Sequence, residues 1–320
     1  MAIGRISTNQ YFKLSTDRMS KQQTELVNLQ GQLATGQRVL KPSDDPLAMS
    51  VALGAKAGVK TIDSYQSNIA YLGNQLGQMD VALESASDMM MSIKELFLQA
   101  ANSTLSPTDR EILAQDIEGR MEELRGIANR TDTNGFYIFS GTFQDTEPFQ
   151  DPAGAITGTF LEGATGVGGR EVQVASGRFV NTNITGEDAF VNASTNQDAF
   201  RIMRDAVALL RNPAYPDGQE GATPADTYLK AFNQKGTELE QIFGQVQIAR
   251  TKVGVRLREV ETLQQINQAA QLELERVAGE AVGLDYAKAI SELSQGQLQL
   301  QAAQQSFAKT AQLSLFNFLG

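Results

Sequence analysis

Apolar residues recur in alternating steps of four and three along most of this chain. Near the start, Phe12, Ser15, Met19, Gln22, Leu26, Leu29, Leu33, Gly36 and Leu40 share one helical face. This first helix should run from about Asn9 to Thr35 and stop at Gly36, with Pro42 sealing the break. Asp45 and Pro46 then open a second helix, the carboxylate taking an orphan N–H and proline having none to lose. Its stripe is long and regular, from Ala48, Val51 and Ala55 through Leu72, Leu76, Met79 and Leu83 to Phe97 and Ala100.

Ser106-Pro107-Thr108-Asp109 restarts a helix with a capping box, and Leu113, Ile117, Met121, Leu124 and Ala128 should fold it back against the long one. The pattern changes at Asp132. Asn134-Gly135 signals a hairpin turn leading into a strand over Phe136–Phe139, and Ser140-Gly141 closes the helical half. Alternating pieces follow at Glu171–Val174 and Arg178–Val180, amid Gly and Thr. Helix returns with Asn196 as its cap and stops at Asn212-Pro213. A second long stripe runs from Tyr228 and Phe232 to Leu284, with Arg256 and Asn267 at stripe positions where polar groups fix register.

Beside Gly283 the phase slips, and a last series begins: Tyr286, Ile290, Leu293, Gln297, Leu300, Gln304, Phe307, Ala311, Leu315 and Phe318. Ordering each residue of such a helix costs about 1–2 kcal/mol. Burying each apolar stripe residue returns only about 1.5–3 kcal/mol. The two terminal helices are therefore marginal alone and firm against a partner.

The resulting fold class is mainly α: long antiparallel helical rods, terminal coiled-coil-forming helices and a small β-rich inserted domain. The expected divisions are residues 1–40 with 285–320 for the terminal assembly domain, 41–141 with 190–284 for the rods, and 142–189 for the insert. The insert should sit at the pole opposite the chain ends. The assembly interface should be carried by Met19, Leu26, Leu29, Leu33, Ile290, Leu293, Leu300, Phe307, Leu315 and Phe318.

Composition narrows the chemistry. The chain of 320 residues has no Cys and no His. Disulfides, thiolate zinc sites, Cys nucleophiles, the Ser-His-Asp arrangement and the His-based peptidase helix are thereby excluded. Asp44 and Asp45 are turn and cap residues rather than metal ligands, and Gly166, Gly168 and Gly169 lack the Lys-Ser/Thr of a phosphate loop. No cofactor and no catalytic residue is expected.

The formal charge of −10 argues against nucleic acid. It is unevenly spread: residues 1–60 carry +4, residues 281–320 carry zero and residues 61–280 carry −14. Sparsely charged ends can pack beside many copies, with the acidic middle left in solvent. Neither a signal-peptide h-region nor a membrane span is visible, since Leu293–Ala308 is broken throughout by Gln.

Three stretches carry a resemblance. Ala34-Thr35-Gly36-Gln37-Arg38-Val39, followed by Lys41-Pro42-Ser43-Asp44-Asp45-Pro46, resembles the N-terminal signature of the flagellin superfamily in its hook-associated form. Asn134–Gly141 is similar to the turn ending that family's helical half, and Leu284–Ile290 to its C-terminal segment. Glu147-Pro148-Phe149, with Gly154, Gly163, Gly169 and Arg170-Glu171-Val172 after it, and the ending Leu313–Leu319 favour the hook-associated form over filament flagellin.

The resemblance implies a secreted, extracellular flagellar protein, passed unfolded through the flagellar type III export apparatus with a chaperone. It would form a layer of identical copies between the hook-side junction protein, the first hook-associated protein, and flagellin. The alternative it leaves open is a self-polymerising filament flagellin.

Overall fold

The computed structural model describes residues 8–102, 105–150, 159–160, 171–181, 184–192, 197–212 and 224–319. The glycines of 161–170 and the proposed cap Asn196 lie outside them, as do the side chains of Leu315 and Phe318. Among the described residues the fold is mainly α, with only short antiparallel strand pairs. Two compact units emerge, residues 63–268 and residues 1–62 with 269–320.

In the first of these, α2 (Pro46–Ala100) and α6 (Pro224–Val282) run antiparallel. Arg250 reaches Asp80 at 3.3 Å and Glu84 at 2.7 Å, Gln247 donates to Ser87 at 2.6 Å, and Lys94 pairs with Glu240 at 2.7 Å. Between these polar rims lies the expected seam, from Ile69, Leu72, Leu76 and Met79 on α2 to Ile242, Val246, Ala249 and Val253 on α6, all essentially without solvent contact. At its end the Tyr228 hydroxyl donates to the Ala100 carbonyl at 2.7 Å, and the Phe97 and Phe232 rings lie 5.2 Å apart.

Helix α3 (Pro107–Ala128) opens with the predicted capping box, Ser106 and Asp109 exchanging hydrogen bonds. It buries Ile117, Met121, Leu124 and Ala128 in the same core. Helix α5 (Ala199–Arg211) packs beside it, and Arg211 is gripped by Glu111 and Glu118 at 3.1 and 2.7 Å. The cap of α5 is Asp198, not Asn196: its carboxylate accepts from the Arg201 N–H at 2.7 Å, and two residues of strand precede the helix.

The expected strand at Phe136–Phe139 is not formed. Asp132 accepts from the Asn134 and Phe136 N–H groups at 2.8 and 3.0 Å, and Gly135 takes φ +86°. That closes a tight loop with one bridge, Thr131 to Tyr137, because the side chain of Asp132 outcompetes a ladder for the same amides. Gly141, like Gly135, has a positive φ, 68°, so the second closing turn also uses the left-handed region.

Strands come as three antiparallel pairs: β1 (Phe149–Gln150) with β2 (Thr159–Phe160), β3 (Glu171–Ala175) with β4 (Arg178–Asn181), and β5 (Val191–Asn192) with β6 (Gln197–Asp198). The β3–β4 hairpin is not held at the far end of the long helices. It lies along them, where Asn68 donates to the Gln173 carbonyl at 2.8 Å, Asn267 to that of Val174 at 3.0 Å, and Arg178 pairs with Glu259 at 2.6 Å. The buried amide of Asn267 thus fixes a strand onto α6, more than it fixes helix register. The short α4 (Gly186–Phe190), capped by Thr185, closes a cluster of Phe139, Phe149, Phe190 and Phe200 rings.

Candidate assembly surface

In the unit formed by residues 1–62 and 269–320, the two ends of the chain pair with each other. Helix α1 (Thr8–Thr35) and α7 (Tyr286–Leu319) are antiparallel: the Phe12 and Phe307 rings meet edge to face at 5.3 Å, and Leu26 lies against Gly296 farther along. Gly296 lets the backbones approach, since a Cβ there would come 2.8 Å from a Leu26 methyl. Gln22 reaches across to the Gln299 side chain at 3.2 Å.

On α1 the inward face is the expected one. Leu26 is buried, and Phe12, Ser15, Met19, Gln22, Leu29 and Leu33 are half-buried. On α7 the inward face is Ala289, Leu293, Gly296, Leu300, Ala303 and Phe307. Of the expected stripe, Leu293, Leu300 and Phe307 hold this place, but Gln297 and Gln304 point to solvent and Ile290 is 53% exposed. Ala289, Gly296 and Ala303 stand one position earlier than the residues expected. Small residues give little hydropathic signal, yet they permit the closest helix contact.

Leu14, Val27, Tyr286, Ile290 and Leu298 remain largely in water. An open cleft of about 420 Å³ between α1 and α7 is lined chiefly by amides, among them Gln22, Asn28, Gln32, Gln295 and Gln299. It is too open and too polar to enclose a small ligand.

At the base of the pair both ends of the chain break their helices at one level. Gly36, at φ +70°, ends α1, and a Cβ on it would sit 2.7 Å from the Tyr286 hydroxyl. Gln37 and Gly283 form an antiparallel bridge; the Arg38 N–H donates to the Val282 carbonyl at 2.7 Å and the Leu284 N–H to the Gly36 carbonyl at 3.1 Å. Val39, 1% exposed, fills a small core with Ala52 and Val282, against which Ala48, Met49 and Ala281 pack. This rotates the buried face at the start of α2: Ala52 and Ala55 are buried, while Val51, expected on the stripe, is 41% exposed.

The motif 42–46 is the turn out of this joint. Pro42 and Ser43 are exposed, and Asp44 accepts from the Leu40 and Lys41 N–H groups at 3.1 and 2.9 Å. Asp45 caps α2 by accepting from the Ala48 N–H at 3.0 Å, and Pro46 is the first helical residue. Arg38 donates to Asp45 at 3.2 Å and to the Ala281 carbonyl at 3.1 Å. Across the joint, Asp285 caps α7 through the Lys288 N–H at 3.1 Å.

The Ala48 N–H and then the Arg38 guanidinium hold the Asp45 carboxyl below its ordinary value of 3.8. Its charge therefore stabilises the cap fully above that value, and the effect is lost as pH falls through the lower folded one. We expect the Ala48 amide resonance to titrate with a midpoint below 3.8. A midpoint above that value would show that Asp45 is not the cap in solution.

Among the described residues, no three acidic side chains are grouped to hold a metal, and no helix is long and apolar enough to cross a membrane.

Long helices from the two chain ends are thus paired around a shared joint and leave apolar side chains in water. Residues 6–144 match the family model described as the bacterial flagellin N-terminal helical region. The chain is also similar to flagellar hook-associated protein 3 of Escherichia coli (strain K12), at 27% identity over 98% of each chain. Flagellin of Salmonella enteritidis aligns over 66% of this chain and 43% of its own, at 25% identity. The solved structure of a putative flagellar hook-associated protein from Vibrio parahaemolyticus shares the fold, with TM-score 0.63 and 22% identity over 75% of this chain and all of that one.

Proposed function

We propose that this chain is a non-enzymatic structural component of the bacterial flagellum, an adaptor layer that joins the hook side to the flagellin filament. The observation that carries this reading is the end-to-end similarity to hook-associated protein 3, set against a match to only 43% of a flagellin. The terminal pair supports it: Ile290, Leu298, Val27 and Leu14 are apolar groups that a neighbouring copy would cover.

In this reading residues 1–40 with 285–320 carry the assembly contacts, residues 41–141 with 190–284 form the surrounding shell, and residues 142–189 face outward. Met19, Leu26, Leu29, Leu33, Leu293, Leu300 and Phe307 build the pair, and Ile290 faces other copies. Leu315 and Phe318 are assigned to the same interface from the sequence stripe alone. The partners are the first hook-associated protein below, flagellin above, identical copies alongside, and the type III export apparatus and its chaperone before assembly. The protein acts outside the cell, at the hook–filament junction.

The test is addition of purified protein to isolated hooks carrying the first hook-associated protein. A single capping layer that then seeds flagellin polymerisation is expected. Long filaments of this protein alone would instead establish the filament-flagellin reading, and no binding to hooks would end both.

A further inference from the structure

We infer that Arg38 and Val39 form a latch through which the docking of α1 and the docking of α7 depend on each other. Both helix ends at the joint are incomplete alone. The last carbonyls of α6 have no intrahelical donors, and those of Ala281 and Val282 receive the Arg38 side chain and backbone N–H. The second N–H after α6, that of Leu284, in turn finds its acceptor on Gly36, the residue that ends α1. Each strand of the joint supplies what the other lacks.

The side chain of Arg38 also spans two helix termini of opposite polarity. It sits at the C-terminal end of α6, where positive charge is favoured, and pairs with Asp45 at the N-terminal end of α2, where negative charge is favoured. Val39 adds the apolar half, closing over Ala52 and Val282. Displacing residues 38 and 39, which follow α1 directly, would uncover Val282 and strip two acceptors of their donors. Displacing Leu284, which leads into α7, would take the donor from the Gly36 carbonyl. The contact is not a generic loop packing: it joins residues 37 and 283 by a backbone bridge, so order at one end of the chain is transmitted directly to the other.

The consequence is that the terminal helices dock as one cooperative body or not at all. A chain carrying only one ordered end would not present half of the pair as a stable surface. This holds whether or not the protein is flagellar, because it concerns one chain by itself.

Amide hydrogen exchange on the full chain tests it, since two of the latch hydrogen bonds are read by the amides of residues 38 and 284. Arg38→Ala should speed exchange at Leu284 and over the start of α7 by about tenfold, the loss of charge-assisted hydrogen bonds, with residues 63–268 unchanged. Arg38→Lys, which can reach one acceptor but not both, should fall between. Asp45→Asn keeps the α2 cap, so the Ala48 amide should stay protected while Leu284 is partly released.

The reciprocal arm is Asp285→Ala, which removes the cap of α7 and should speed exchange of the Arg38 amide by a comparable factor, as linkage requires. The inference is overturned if Arg38→Ala affects only residues 36–45, or if Asp285→Ala leaves the Arg38 amide at its wild-type rate. Reciprocal release combined with failure to bind hooks would remove the flagellar reading and leave the latch standing.

Discussion

Leu26→Asp should separate the two terminal helices while residues 63–268 stay folded. Leu26 is a buried residue on α1, 9% exposed, and its methyl fills the space that Gly296 leaves open. Losing its burial forfeits about 1.5–3 kcal/mol. A carboxylate confined in the same place, where the described residues lining the cleft include no Lys or Arg, brings the total to about 3–5 kcal/mol. A two-helix pair has little stability in reserve, so that sum exceeds what holds it. Limited proteolysis should cut the variant within α1 and α7 and leave a resistant core fragment. Incorporation into a layer on hooks should fall below detection.

Ile290→Asp is the contrasting variant. Ile290 is 53% exposed in the single chain, so the pair should survive with wild-type protease resistance. Only incorporation should suffer, by at least about tenfold if a neighbouring copy buries the side chain. Wild-type incorporation of Ile290→Asp would mean that this face of α7 is not the contact between copies.

These two residues also mark how far the sequence is legible. Along α2 from Ile69 to Phe97 the large apolar side chains at stripe positions are all buried, while Val81 and Met91, off the stripe, are about half exposed. The same rule read α7 one residue late at three positions. Ile290 looks more like a core residue than Ala289, and Gln297 and Gln304 look like tolerated inserts, whereas Ala289, Gly296 and Ala303 are the residues withdrawn from solvent, and Leu26 of α1 closes over Gly296. Periodicity reports hydropathy; a seam built for proximity is chosen by size.

The joint was legible only in part. Gly36, Asp45 and Pro46 announce a stop and a start, but nothing local says that Arg38 and Val39 will meet residues 281–283, because that pairing is set by contacts across the whole chain. Phe136–Phe139 failed for the opposite reason: a local side chain, Asp132, takes the amides that a strand would have used.

Within residues 63–268 the largest stability effect should come from the aromatic cluster. The Phe149 ring, 0% exposed, lies 5.0 Å from that of Phe200 and 5.6 Å from that of Phe190. Phe149→Ala should cost about 3–5 kcal/mol, from lost transfer energy and the cavity left behind. In a unit of this size that lowers Tm by on the order of 10 °C. Gly186 stands directly against the same ring: a Cβ there would come 2.8 Å from Cε2 and 3.0 Å from Cζ, with the Phe139 carbonyl 3.5 Å away. Its own N–H is fixed to that carbonyl at 2.8 Å, so the backbone cannot easily withdraw.

Gly186→Ala should therefore destabilise by overpacking, about 1–3 kcal/mol. The two changes share one volume, and the cavity made by Phe149→Ala should accept the new methyl. The double variant should consequently be more stable than the sum of the singles predicts, by about 0.5–3 kcal/mol in a thermal or denaturant cycle. Strict additivity would mean that the ring already has room to move aside, and that α4 is held by its Thr185 cap rather than by its contact with Phe149.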